Sequence, residues 1–179
     1  MQPGRSRPLA RREIPDPRAR DRPPSRDRHG ARSQPEPRAL KTVTTHSVAE
    51  TERVAAELAR TFHGGECVAL DGDLGAGKTQ FVRGLLKGLR GDPRTVSSPT
   101  FILLNVYDTG RLKLYHLDAY RVSGAEDFEA IGFAELLEQG GVVVVEWAQR
   151  VADLLPPNRI NIGIGCTGAT TRRIAIVCK

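Results

Sequence analysis

Cysteine is scarce in this sequence. Its three copies, Cys67, Cys166 and Cys178, form no C-x-x-C pair and have no histidine beside them at zinc-finger spacing. Neither a disulfide scaffold nor a structural zinc site is expected, and the cysteines in apolar runs read as small buried hydrophobes at home in a reducing cytoplasm. Long hydrophobic runs are absent too. No stretch approaches the roughly 18 consecutive apolar residues of a membrane-spanning helix, so a soluble, cytoplasmic protein without a membrane partner is expected. Excess positive charge is missing from most of the chain as well. The net charge of +6 arises in residues 1–40, which hold 11 arginines and 5 acids, whereas residues 41–179 carry 16 basic and 16 acidic side chains. Overall basicity therefore gives no argument for nucleic-acid binding.

Those first forty residues also contain 8 of the 12 prolines, and their apolar residues are few and unpatterned. Such a segment cannot bury a core and is expected to be a disordered extension. Glu13, Asp16, Asp21, Asp27 and Glu36 are too many acids for an organelle-targeting peptide, and there is no apolar signal core. Residues 41–179 are long enough for a single domain.

Within that domain, Ser47 and Glu50 form a capping box ahead of a helix with Val48, Val54, Ala55, Leu58 and Phe62 near one face. His63-Gly64-Gly65 stops the helix, and Glu66 to Leu70 reads as a short buried strand. Then follow Gly72, Asp73, Leu74, Gly75, Ala76, Gly77, Lys78 and Thr79, which satisfy G-x-x-x-x-G-K-[ST] between that strand and a helical run, Gln80 to Leu89. The chemistry explains each choice. Glycines allow successive N–H groups to wrap phosphate oxygens, and the helix N-terminus adds partial positive charge. Lys78 can reach the β- and γ-phosphates, while the Thr79 hydroxyl offers an oxygen to Mg²⁺. No N-K-x-D guanine-reading motif and no D-x-x-G switch follows Thr79, which makes ATP the expected nucleotide.

Downstream, strand character from Phe101 to Tyr107 and the alternation of Arg111 to Leu117 predict a hairpin, with Asp118 just past its second strand where a metal ligand or a loop cap would sit. His116 reads as structural. Ser123 to Glu126 has capping-box spacing and opens an acidic helical segment broken near Gly132. Val142 to Val145 is apolar on both faces, as in a covered parallel strand. Glu146 ends it, the position of a Walker-B carboxylate acting on Mg²⁺ or on the attacking water. Trp147 adjoins it. Arg159–Cys166 and Arg172–Cys178 read as a C-terminal hairpin, in which Arg172 or Arg173 could lean toward a nucleotide. The expected fold is thus an α/β P-loop NTPase-like sandwich, with a mixed, largely parallel central sheet and an antiparallel C-terminal hairpin.

GDLGAGKT, SPTF, YHLDAYR and VVEWAQR, in this order and at these spacings, resemble the TsaE family, formerly called YjeE, over roughly Thr42 to Lys179. The resemblance implies a small ATPase required for threonylcarbamoyl addition to adenosine 37 of tRNA (t6A). Such proteins work with TsaD and TsaB after TsaC makes threonylcarbamoyl-adenylate, and meet tRNA only through that complex. It further implies Lys78 on the phosphates, Thr79 on Mg²⁺, and Asp118 and Glu146 at the metal and the hydrolytic water. Thr100 becomes a switch residue, Trp147 an aromatic beside the site, and Thr51 a position near the nucleotide. ATP binding and hydrolysis would reset the TsaD–TsaB complex between turnovers. The long extension is a departure from the family pattern.

Two other functions use the same loop. A small-molecule kinase would need a lid and an acceptor pocket, and no Arg-rich insertion resembling a lid occurs. A nucleotide-gated RNA-binding module would use the extension as its arm and lose affinity steeply with salt.

Overall fold

The computed structural model describes residues 38–122 and 124–178. The extension expected over residues 1–40 lies outside them except for its last three positions, which already belong to a strand. That strand, β1 (Arg38–Thr45), is not foreseen by hydrophobic patterning. It is followed by α1 (Val48–Ala59), β2 (Cys67–Asp71), α2 (Lys78–Gly88), β3 (Leu104–Tyr107), β4 (Leu114–Asp118), α3 (Ala125–Ala130), α4 (Phe133–Glu138), β5 (Val142–Glu146), β6 (Ile160–Cys166) and β7 (Arg172–Cys178).

The strands form one sheet in the order β1-β7-β6-β2-β5-β4-β3. Its centre, β6-β2-β5-β4, is parallel, and antiparallel pairs close both ends. This is the mixed, largely parallel architecture with a C-terminal hairpin that the sequence suggests. Alternate residues of each central strand feed different cores. Val68, Leu70, Val142 and Val144 pack beneath α1 and α2, while Ala69, Val143 and Val145 meet Phe128, Phe133 and Leu136 of α3 and α4. The valine run is apolar on both sides because both sides are covered. Cys67 is buried there, and burial pushes its thiol up to about 12, so it stays a protonated hydrophobe.

Three local expectations need correction. Phe101 and Ile102 are not strand residues but an exposed turn, in which the N–H groups of Ile102 and Leu103 both reach Pro99 O (3.0 and 2.7 Å). Leu103 takes φ +66° and the strand starts one residue later. The N-cap of α3 is Gly124, with no side-chain cap, and Ser123 lies outside the described residues. At α1 the capping box forms, but with a shift: Ser47 Oγ accepts from Glu50 N–H at 3.2 Å, while Glu50 Oε2 accepts from His46 N–H rather than from the cap residue.

Helices α1 and α2 approach through small residues. A Cβ at Gly84 would lie 2.3 Å from Glu52 O, and one at Gly88 would lie 2.4 Å from Ala56 O. Glycine inside a helix costs about 1 kcal/mol relative to alanine, and here the cost admits a backbone-to-backbone approach. Gly84→Ala is therefore expected to destabilise by about 1–3 kcal/mol, as overpacking does, despite its better helix propensity. Thermal unfolding checks this, with Lys87→Ala on the exposed side of α2 as the control that should change little.

Candidate functional site

In a parallel sheet the strands deliver their last residues to one edge, where ligands bind. Here Asp71, Asp118 and Glu146 end β2, β4 and β5, and the register sets Glu146 between Leu70 and Asp118. The phosphate loop rises between β2 and α2 beside them. Gly72 is required where it stands, because its φ is +154° and a Cβ would meet Ile164 O at 2.5 Å. Gly77 at φ +106° caps α2 without any side-chain bond, which leaves the first N–H groups of the helix available to an anion.

The outward side of the loop is held by an arginine. Arg172 donates Nε–H to Ala76 O at 2.8 Å and reaches Gly75 O at 3.5 Å, while its Nη1 donates to Thr171 O at 3.0 Å and Gly168 O at 3.2 Å. Of the two arginines considered in the C-terminal hairpin, Arg172 is thus the one that reaches the loop, through backbone carbonyls. Hydrogen bonds to a charged group are worth about 1.5–3 kcal/mol. Arg172→Ala should accordingly weaken nucleotide affinity by roughly 10-fold or more with little loss of rate at saturation. Titration calorimetry with ADP measures the first and a saturating assay the second.

Lys78 donates from Nζ to Gly72 O at 2.7 Å and Asp73 O at 3.0 Å, with the Trp147 ring centroid 3.7 Å away. Burial pushes its pKa down, and Glu146, Asp118, Asp71 and Asp73 pull it partly back. Trp147 reaches that position because its backbone is left-handed, φ +58°, with its N–H held by Leu70 O at 3.0 Å. A non-glycine residue adopts this conformation at a cost, and such costs cluster at functional sites.

Two buried carboxylates complete the cleft. Glu146 Oε1 accepts from Thr79 Oγ1 at 3.1 Å and bonds His116 Nε2 at 3.0 Å. Asp118 Oδ2 accepts from Thr100 Oγ1 at 2.5 Å and Ser98 Oγ at 3.0 Å, and its Oδ1 caps the turn at Tyr120 N–H. Asp118 is thus both the loop cap and the anchor of the Ser98–Thr100 segment. Leu74, Gly75, Gly77, Lys78, Thr79, Thr100, Asp118, Glu146 and Trp147 line a single cleft of about 550 Å³. Gly72 and Asp73 instead serve Lys78 from below, and Ala76 faces a neighbouring cavity of about 340 Å³. That cavity shares the loop glycines with the cleft and is walled by His46, Val48, Thr51 and Arg172. Val48, assigned by periodicity to the helix's apolar face, is 54% exposed and lines this cavity. His116, Tyr120, His46 and Val48 are site residues that sequence reasoning missed, and no local signal distinguishes them from packing residues.

The donors that converge beside Lys78 are oxygens from Thr79, Glu146 and Asp118. Magnesium favours such hard donors and usually takes one or two carboxylates with phosphate oxygens and water. Thr79 gives its hydrogen to Glu146, so its lone pairs remain available to a cation. Among the described residues no group of three or more His, Cys, Asp or Glu side chains encloses a metal site, and a cation here would have to draw further ligands from phosphate and water.

Fold and cleft together define a phosphate-loop α/β protein, with its loop, its carboxylates and the Ser98–Thr100 segment at the carboxyl edge of a parallel sheet. A family model described as "Threonylcarbamoyl adenosine biosynthesis protein TsaE" matches residues 45–174. The chain is 42% identical over 132 residues to the tRNA threonylcarbamoyladenosine biosynthesis protein TsaE of Treponema pallidum (strain Nichols), covering 74% of this chain and 96% of that one. The protein of the same name from Bacillus subtilis (strain 168) is 41% identical over 125 residues, 70% of this chain and 77% of the relative. The crystal structure of Bacillus subtilis YdiB superposes with a TM-score of 0.62 at 33% identity, covering 77% of this chain and 84% of that one. The chain belongs to the TsaE family. Among the described residues no helix is long and apolar enough to cross a membrane.

Proposed function

We propose that this protein acts in tRNA threonylcarbamoyladenosine synthesis as an ATPase, binding and hydrolysing ATP with Mg²⁺ to drive turnover of the TsaD–TsaB complex in the cytoplasm. The observation that carries the reading is the bond between Thr79 and Glu146, 67 residues apart, at the mouth of the phosphate loop and beside Lys78. A loop hydroxyl beside a buried strand-end carboxylate is the pairing with which phosphate-loop proteins hold the Mg²⁺ of a bound nucleotide.

In this reading Lys78 exchanges the carbonyls of Gly72 and Asp73 for phosphate oxygens. Mg²⁺ supplies neutralisation of phosphate charge when bound, and Thr79, Asp118 and Glu146 are the residues that would hold it. Glu146 accepts a proton from the attacking water. Thr100 and Ser98, tied to Asp118 in the structure, form the segment whose order answers to the γ-phosphate. The base occupies the cavity walled by His46, Val48 and Thr51. Partner binding and tRNA contact through TsaD–TsaB follow from the family. The sequence has no Arg-rich, lid-like insertion to support the kinase reading, and the RNA-arm reading depends on residues 1–40, of which only the last three are among the described ones.

The test is threonylcarbamoyladenosine in digested tRNA, quantified by mass spectrometry after depletion of this protein and restoration with wild type or Lys78→Ala. The modified nucleoside should fall on depletion and recover only with wild type. A level that never changes despite effective depletion overturns the proposal.

A further inference from the structure

His116 is fully buried, yet it spends its polarity on one residue only. Nε2 lies 3.0 Å from Glu146 Oε1, and Nδ1 has no partner at all among the described residues. It stands on β4 beside Val144 of β5, one alternate step before the Asp118–Glu146 pair, and the Tyr107 ring packs at 6.3 Å between centroids. A histidine buried purely for packing would be expected to tie its ring nitrogens to the scaffold, since unpaired buried polar groups are costly. This one bonds the strand-end acid of the cleft and nothing else.

We propose that His116 is a positioning residue for Glu146, fixing the carboxylate so that Oε1 is committed to two donors and Oε2 is the oxygen left to meet the cation and the attacking water. The inference rests on the hydrolytic reading of the site. An ionised carboxylate can only accept, so the proton shared with it sits on Nε2. Thr79 cannot fix the acid by itself, because its hydroxyl rotates and its oxygen has a second duty toward a cation. The His116 ring, packed in an interior strand, holds its donor in place whether or not nucleotide is bound. Such preorganised donors need no rearrangement during reaction, and displacement of a reacting group by about 1 Å can cost on the order of 100-fold in rate.

The experiment uses the full chain with His116→Leu and His116→Gln, the latter able to return an amide N–H near the position of Nε2. Single-turnover hydrolysis at saturating ATP is measured beside ADP affinity. His116→Leu should lose roughly 10- to 100-fold in rate with ADP affinity nearly unchanged, and His116→Gln should regain most of the rate. A rate for His116→Leu equal to wild type overturns the proposal, as does a glutamine variant no better than leucine. A second measurement does not depend on turnover or on the variants folding. Nitrogen-15 spectroscopy of the wild-type imidazole should report a proton on Nε2, with an N–H that exchanges slowly. An Nδ1–H tautomer overturns the proposal. Wild type that forms no ADP defeats the hydrolytic reading itself, and with it the role assigned to His116, while the tautomer still reports whether the bond to Glu146 exists.

Discussion

Lys78→Met is expected to abolish nucleotide binding while leaving the ligand-free protein about as stable as wild type. Charge-assisted bonds to phosphate are worth roughly 1.5–3 kcal/mol each. Losing two of them lowers affinity by about 100-fold or more. Stability should behave differently. Burial is the largest influence on Lys78 and pushes its pKa down, which means that the folded state penalises the charged form. That penalty is fully present below the folded pKa and fades as pH rises through it. Removing the charge relieves the penalty, while the carbonyls of Gly72 and Asp73 lose a donor. The two changes oppose each other, and the ligand-free melting temperature should move by no more than about 3 °C. Wild type with nucleotide at 100 times its Kd gains about 2.7 kcal/mol, a rise of roughly 5–10 °C that the variant should not show. Differential scanning fluorimetry with and without ADP reads both quantities. A variant that still shifts with nucleotide would remove Lys78 from the phosphates.

The second large effect is on rate alone. Glu146→Gln keeps the shape of the side chain and an oxygen for Thr79 and His116, but it cannot take a proton from water. General-base catalysis contributes about 10² to 10⁴-fold, and turnover should fall within that range while ADP affinity changes by only a few-fold. A variant that loses affinity as severely as Lys78→Met would make Glu146 a binding residue instead of a base.

The phosphate loop, the capping box at Ser47, the valine strand and the acid after it are legible because each is written locally, by adjacent residues with one period or one motif. Features made by distant residues are not. β1 pairs with β7 across more than 120 residues, and its alternating polar sequence resembles an exposed loop until that partner is present. The role of His116 depends on β4 lying next to β5, a neighbour relation set by the sheet order and not by spacing. Asp118 could be read as a metal ligand or a cap because both uses put an acid after a strand, and the structure adds a third, the anchoring of Ser98 and Thr100. Val48 fits a helical face by periodicity, but the first turn of α1 extends beyond the core and turns that residue toward the cavity. Arg172 and Arg173 look alike in sequence because strand alternation alone does not say which side of β7 meets the loop.

Trp147 is the single tryptophan in the chain, and its ring lies against the ammonium of Lys78 and, at 5.1 Å between centroids, the ring of Tyr120. Any event that draws that ammonium away changes the electric field and the quenching felt by one indole only. The protein thus carries its own optical probe at the loop lysine, and ultraviolet emission recorded during rapid mixing can time the movement of Lys78 without a label.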